Sequence, residues 1–233
     1  MIARIARAAL VAGALAGVLA WAALQARAVP VLIEAERYEQ AAAPHAHAAS
    51  ETHAHAANEA HAESQDQGWR RHALTFLSTV IIGVGYGFLL VGAIVLSGRP
   101  ANIREGALWG AGGFIAFAAA PALGLPPELP GMAAADLGAR QIWWLATAAS
   151  SAGGLALIAF ARPRWAKAVG AALLIVPHLV GAPRAPLEAG TLPAELAAEF
   201  AVVSLLVSAA FWVALGSLSG YLLAKSEASA AET

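Results

Sequence analysis

Apolar residues in this chain do not alternate with polar ones; they run on. Stretches at 8–26, 73–96, 107–125, 142–160, 166–182 and 200–224 are rich in Ala, Leu, Val and Gly and nearly free of charge, with short polar segments between most of them. Crossing the hydrocarbon core of a bilayer takes about 20 helical residues, so five of the six fit comfortably or nearly so. The fifth is the exception. Its uninterrupted apolar part, Ala168–Ala182, is short and contains Pro177 and His178, so it spans only by recruiting flanking residues such as Trp165 or as a broken helix. Runs of this length lack the period-two alternation of barrel strands, and backbone in lipid must then satisfy its own hydrogen bonds as helix. The pattern predicts an all-α fold: a polytopic membrane bundle of six transmembrane helices forming one integral domain over 1–233.

Composition supports this. With 59% hydrophobic and 12% charged residues, the chain is too apolar for an ordinary soluble domain. A net charge of −1 conceals an asymmetry along the chain. Six spans put both termini on one side, and that side carries Arg4, Arg7, Arg99, Arg104, Arg162, Arg164, Lys167 and Lys225 against only Glu105, Glu227 and Glu232. Dense Lys and Arg in short loops mark the cytoplasmic face, so both termini are expected inside. Trp69, Trp109, Trp143, Trp144, Trp165 and Tyr221 fall near segment ends, as an interfacial belt does, whereas Trp21 and Trp212 do not. Arg4 and Arg7 before an apolar run also resemble a signal peptide, with Ala26-Arg27-Ala28 as a cleavage site. The apolar run is long for a signal peptide, which favours a retained first span.

Small residues suggest how the helices pack. Gly13 and Gly17, Gly83 and Gly87, Gly106 and Gly110, and Gly216 and Gly220 all have GxxxG spacing, and Ser150, Ser151, Gly153 and Gly154 give the fourth span a small-residue face. Such residues let backbones approach in lipid, where the hydrophobic effect does not drive helices together. In so Gly- and Ala-rich a chain no single pair names an interface. The ends of the third and fifth spans echo each other, through Pro121 with Pro127-Glu128-Leu129 and through Pro177 with Pro193-Ala194-Glu195-Leu196. This suggests three in-out-in hairpins, with Pro121 and Pro177 as equivalent helix interruptions of the kind that expose backbone groups in transporters.

Candidate chemistry is concentrated in the first loop, 41–67. His45, His47, His53, His55 and His61 lie there among Glu51, Glu59, Glu63 and Asp66, and five of the seven histidines are therefore in one segment on the outer side. Imidazole and carboxylate suit divalent first-row ions, while the absence of cysteine and the presence of only two methionines disfavour thiolate or Cu(I) sites. Residues two apart do not share a helix face, so His-Ala-His pairs gather an ion best on an extended, mobile chain. The segment reads as a low-affinity collector of divalent metal, with a solvated linker as the alternative.

His178 differs, because an ionisable group inside a span is a pathway candidate by default, although a neutral imidazole can also simply hydrogen-bond a neighbouring helix. Glu36, Glu128 and Glu195 are further pathway candidates on the outer side, where acidic residues form a vestibule that concentrates cations. No Asp or Glu lies deep in a span, which argues against an antiporter built on buried carboxylates. Walker, hydrolase-elbow and zincin motifs are absent, so no enzymatic activity is expected, and no prosthetic group or nucleic-acid partner either.

Blocks distributed along the whole chain resemble one family. They are Glu34-Ala-Glu-Arg-Tyr-Glu39 before the His-rich loop, Leu125-Pro-Pro-Glu-Leu-Pro-Gly131, Leu137-Gly-Ala-Arg-Gln-Ile-Trp-Trp144, Val176-Pro-His-Leu-Val-Gly-Ala-Pro183, Pro193-Ala-Glu-Leu-Ala197, and Phe211-Trp212 to Ser219-Gly-Tyr221. Together these resemble the CbtA family, bacterial membrane proteins described as cobalt transporter subunits. The resemblance implies cobalt uptake for cobalamin synthesis across the bacterial inner membrane, alongside a small one-span His-bearing partner, CbtB. It makes His178 the histidine of the Pro-His-Leu block, and Glu128, Arg140 and Glu195 polar members of the outer blocks. The separated His-Ala-His pairs depart from the dense His run that the resemblance leads one to expect.

The sequence thus points to a permease subunit for a divalent metal, cobalt first, with nickel or zinc as alternatives and a homo-oligomer compatible. The rival is a non-transporting metal-sensing or assembly subunit of a membrane complex.

Overall fold

The computed structural model describes residues 2–42, 56–99, 101–185 and 192–231. Its first helical rod runs through α1 (Ile2–Ala23), a π segment (Leu24–Ala28) and α2 (Val29–Ala42); α3 (Ala56–Leu96) follows. The third rod comprises α4 (Ile103–Phe114), a second π segment (Ile115–Ala119) and α5 (Ala120–Ala122). Then come α6 (Leu137–Phe160), α7 (Arg164–Val180) and α8 (Ala194–Ala231). No strand occurs among the described residues. The fold is all-α, and four helices are long and apolar enough to cross a membrane, within Ile2–Tyr38, Gly68–Leu96, Leu137–Phe160 and Ala194–Ala228.

Both π segments have a local cause. Each is followed by a proline one residue past its C-cap or within its next turn, Pro30 after Leu24–Ala28 and Pro121 after Ile115–Ala119. Proline lacks an N–H and its ring crowds the carbonyl four residues back. The turn before it widens: the Val29 N–H donates to the Leu24 carbonyl, and the Ala120 N–H to the Ile115 carbonyl, five residues back in each case. The helix thereby accommodates the ring instead of breaking. Ala26-Arg27-Ala28 lies within this continuous rod.

Glycine decides which rods touch. A Cβ on Gly13 would lie 2.5 Å from the Gly83 carbonyl oxygen, and one on Gly17 would lie 2.7 Å from that of Thr79, so the two GxxxG pairs of α1 and α3 face each other. Gly106 and Gly110 of α4 meet the backbone of Trp212 and Gly216 of α8 in the same way, and Gly154 of α6 meets Gly170 of α7. Ala8, Ala9, Ala12 and Ala16 of α1 join Val91, Trp212 and Leu215 in the core where α1, α3 and α8 converge. The third rod pairs with α8, and α6 pairs with α7, because those are the faces where small residues match.

Contacts fix which ends lie together. The Arg4 guanidinium donates to the Ser226 carbonyl at 3.2 Å, bringing the start of α1 beside the last turns of α8. Arg99, after α3, donates to the Ala159 carbonyl at 3.2 Å and lies 4.5 Å over the Phe160 ring. One end of the bundle therefore carries the terminal helix ends and the basic turns. The segments 123–136 and 181–185 emerge at the other.

Candidate functional site

At that second end two proline-containing turns converge. The Gly124 N–H donates to the Pro121 carbonyl at 3.1 Å, and the Gly181 N–H donates to the Pro177 carbonyl at 3.1 Å. Neither proline interrupts its helix midway: α5 ends at Ala122 and α7 continues to Val180, so both act in final turns. Gly181 has φ +86°, which glycine adopts at little cost as the chain leaves α7. The two turns meet at Trp143, whose ring packs where a Gly124 side chain would be and stands 6.0 Å from the His178 ring at 67°. Gly124 also abuts Ala182. His178 is thus held half-buried on the last turn of α7, with Trp143 against one edge.

Glu128 enters from the loop that joins α5 to α6. Its neighbour Leu129 is buried and anchors that loop, and the Met132 N–H donates back to the Leu129 carbonyl at 3.3 Å around Gly131, which has φ +79°. On the far side of the loop the Asp136 carboxylate caps α6 by accepting from the Ala139 N–H at 2.9 Å. This capping sets Arg140 one turn into the helix, where its guanidinium donates to Glu128 at 2.7 Å. Both side chains are partly buried, at 20% exposure for Glu128 and 30% for Arg140. A charge-assisted bond so shielded is stronger than a surface pair.

Two cavities meet at this carboxylate. One, of about 380 Å³, is lined by His178, Glu128, Trp143, Ala182 and Arg184. The other, of about 680 Å³, is lined by Pro121, Glu128, Arg140, Gln141, Ser204 and Ser208 among others. An imidazole and a carboxylate on one cavity wall are two ligands for a divalent ion. Arg140 already occupies one face of Glu128, and Arg184 adds a second positive charge to the smaller cavity. Among the described residues no three His, Asp or Glu side chains gather as a metal-holding group. An ion here would complete its shell with water and backbone oxygen.

Of the four pathway candidates, the structure brings together His178 and Glu128. Glu36 is elsewhere, paired with Arg71 of α3 at 3.2 Å, near the contact of Gln25 with His72 and the Glu34–Arg37 pair at 2.8 Å. Glu195 is exposed in the first turn of α8. His45, His47, His53 and His55 lie outside the described residues. His61 falls within α3, so the last part of the His-rich segment is helical in backbone rather than extended, and its side chain is outside the described set. Ser204 and Ser208 on the larger cavity went unnoticed in the sequence, although their four-residue spacing inside an apolar run was a usable signal.

The family model for CbtA, described as a probable cobalt transporter subunit, matches residues 2–224 of the 233-residue chain. No curated protein and no solved structure matches it. The chain belongs to the CbtA family.

Proposed function

We propose that this protein is the membrane-spanning permease subunit for uptake of a divalent transition metal, cobalt first. The observation that carries this reading is the cavity on which His178 and Glu128 converge at the end of the bundle opposite the basic turns. Family membership supports cobalt as the cargo. All six rods serve as spans in this reading. Ile103–Ala122 is continuous through its π segment, and α7 runs between the same two ends of the bundle as its partner α6. This reading keeps the first rod as a span, and the packing of Gly83 and Gly87 on α1 supports it.

By the positive-inside rule the basic end faces the cytoplasm of a bacterial inner membrane, and the His178 cavity faces outward. The loop histidines, His45, His47, His53, His55 and His61, then raise the local ion concentration beside it. A partner subunit fits a family described as a transporter subunit, and a small His-bearing CbtB-type span is the form proposed here.

One observation favours the rival sensing or assembly role. Arg140 pairs with the only carboxylate of the smaller cavity among the described residues and Arg184 lines the same cavity, an arrangement unfavourable to free passage of a cation. Uptake of cobalt, nickel and zinc into liposomes containing the purified protein, with and without the partner subunit, decides between them. A permease accumulates metal inside. Binding without accumulation in either preparation would make the protein a sensor or assembly subunit.

A further inference from the structure

Removing a hydroxyl from water without a hydrogen bond costs free energy, so helices in lipid pair such groups or bond them back to their own carbonyls. α3 does the latter: Thr75 and Thr79 donate to the carbonyls of Arg71 and Thr75, at 2.8 and 2.9 Å. α6 does neither along one row. Trp143, Thr147 and Ser151 recur every four residues, are 8%, 0% and 0% exposed, and their Nε1, Oγ1 and Oγ atoms have no hydrogen-bond partner among the described residues. Trp21 and Ser219 carry isolated cases; among the described residues only α6 carries a series.

Contacts at both ends of the row fix its direction. Trp143 packs on His178, and Gly154, three residues beyond Ser151, packs on the Gly170 carbonyl of α7. Residues spaced by three or four share a helix face, so Thr147 and Ser151 lie between these contacts, on the side of α6 that meets α7. Across the seam Pro177 is buried and offers no N–H to the Leu173 carbonyl, and Leu173 itself lies beside Gly154. Unpartnered side chains of α6, facing a turn of α7 from which proline removes one helical donor, therefore continue from the His178 cavity into the bundle. The other two close seams, α1 with α3 and α4 with α8, are built chiefly on glycine and alanine.

We infer that the α6–α7 seam from Trp143 to Ser151 is a hydrated passage, taking water and a divalent cation that keeps part of its water shell. Hydroxyl and carbonyl oxygens would replace the waters the ion sheds, as hard cations accept. The cation part rests on the transport reading above; the water part does not.

The chain has no cysteine, so single-cysteine variants report accessibility without background. Thr147→Cys and Ser151→Cys are compared with Ala148→Cys, a site only 3% exposed on the same helix. Membrane vesicles are treated with a small membrane-impermeant thiol reagent, with and without cobalt. Labelling at 147 and 151 at least tenfold faster than at 148, slowed by cobalt, is expected. Labelling no faster than at 148 would overturn the passage, and labelling that no divalent metal slows would overturn its use by a cation. Thr147→Val keeps the shape and removes an unpaired hydroxyl, so it should cut uptake at least tenfold without lowering thermal stability. If the parent protein proves unable to move metal while labelling and its protection by cobalt persist, the transport reading fails and the passage stands.

Discussion

Gly106 and Gly216 meet backbone to backbone: a Cβ on either residue would fall on the carbonyl oxygen of the other. The contact joins the third rod to the sixth across more than a hundred residues of sequence. In lipid this approach is a main source of helix association, because apolar side chains gain nothing by leaving acyl chains for one another.

Gly216→Leu should therefore force α4 and α8 apart and cost about 1–3 kcal/mol, the range for overpacking. Gly85→Ala, where a Cβ meets nothing within 4 Å, should be neutral or slightly stabilising. Thermal unfolding of the purified variants in detergent, followed by tryptophan fluorescence, checks both. Equal midpoints would mean that the glycine seam does not hold the bundle.

Arg140→Ala should destabilise the protein by about 1–3 kcal/mol, because it leaves the Glu128 carboxylate partly buried without its donor. Adding Glu128→Gln should recover part of the loss, so the pair appears as a coupling in a double-mutant cycle. Additive losses would mean the 2.7 Å pair contributes nothing to stability.

His178→Ala should reduce metal uptake at least tenfold with membrane insertion intact, whereas Glu195→Ala, exposed on the first turn of α8, should have little effect. Uptake in cells, normalised to protein in the membrane fraction, distinguishes them. Unchanged uptake in His178→Ala would reduce that residue to a packing partner of Trp143.

Replacing His45, His47, His53, His55 and His61 together by alanine should raise the metal concentration needed for half-maximal uptake several-fold and leave the maximal rate nearly unchanged. A collector raises local concentration without touching the later steps. A fall in maximal rate at saturating metal would place these histidines on the route itself.

The positions of the helical rods could be read from the chain because their cause is local. About 20 apolar residues must form a helix wherever they enter lipid, and the spans read at 142–160 and 200–224 lie inside α6 and α8 as found. The final turns at Pro121 and Pro177 were marked by their prolines, but their effect was not. Proline denies one hydrogen bond, and whether the helix breaks, widens or ends depends on what packs around it. At Pro121 it widens beforehand and ends soon after.

By itself, the sequence determined the class, the rods and the charge difference between the two ends, since each depends on composition within one segment. Which rods became partners depended on how the surfaces met in three dimensions. Four GxxxG pairs are equivalent as sequence, and the seams of α1 with α3 and α4 with α8 exist because those surfaces match in register. For the same reason His178 meets Trp143 and shares its cavity with Glu128, while Glu36 and Glu195, carboxylates as well, lie elsewhere on the rods that carry them.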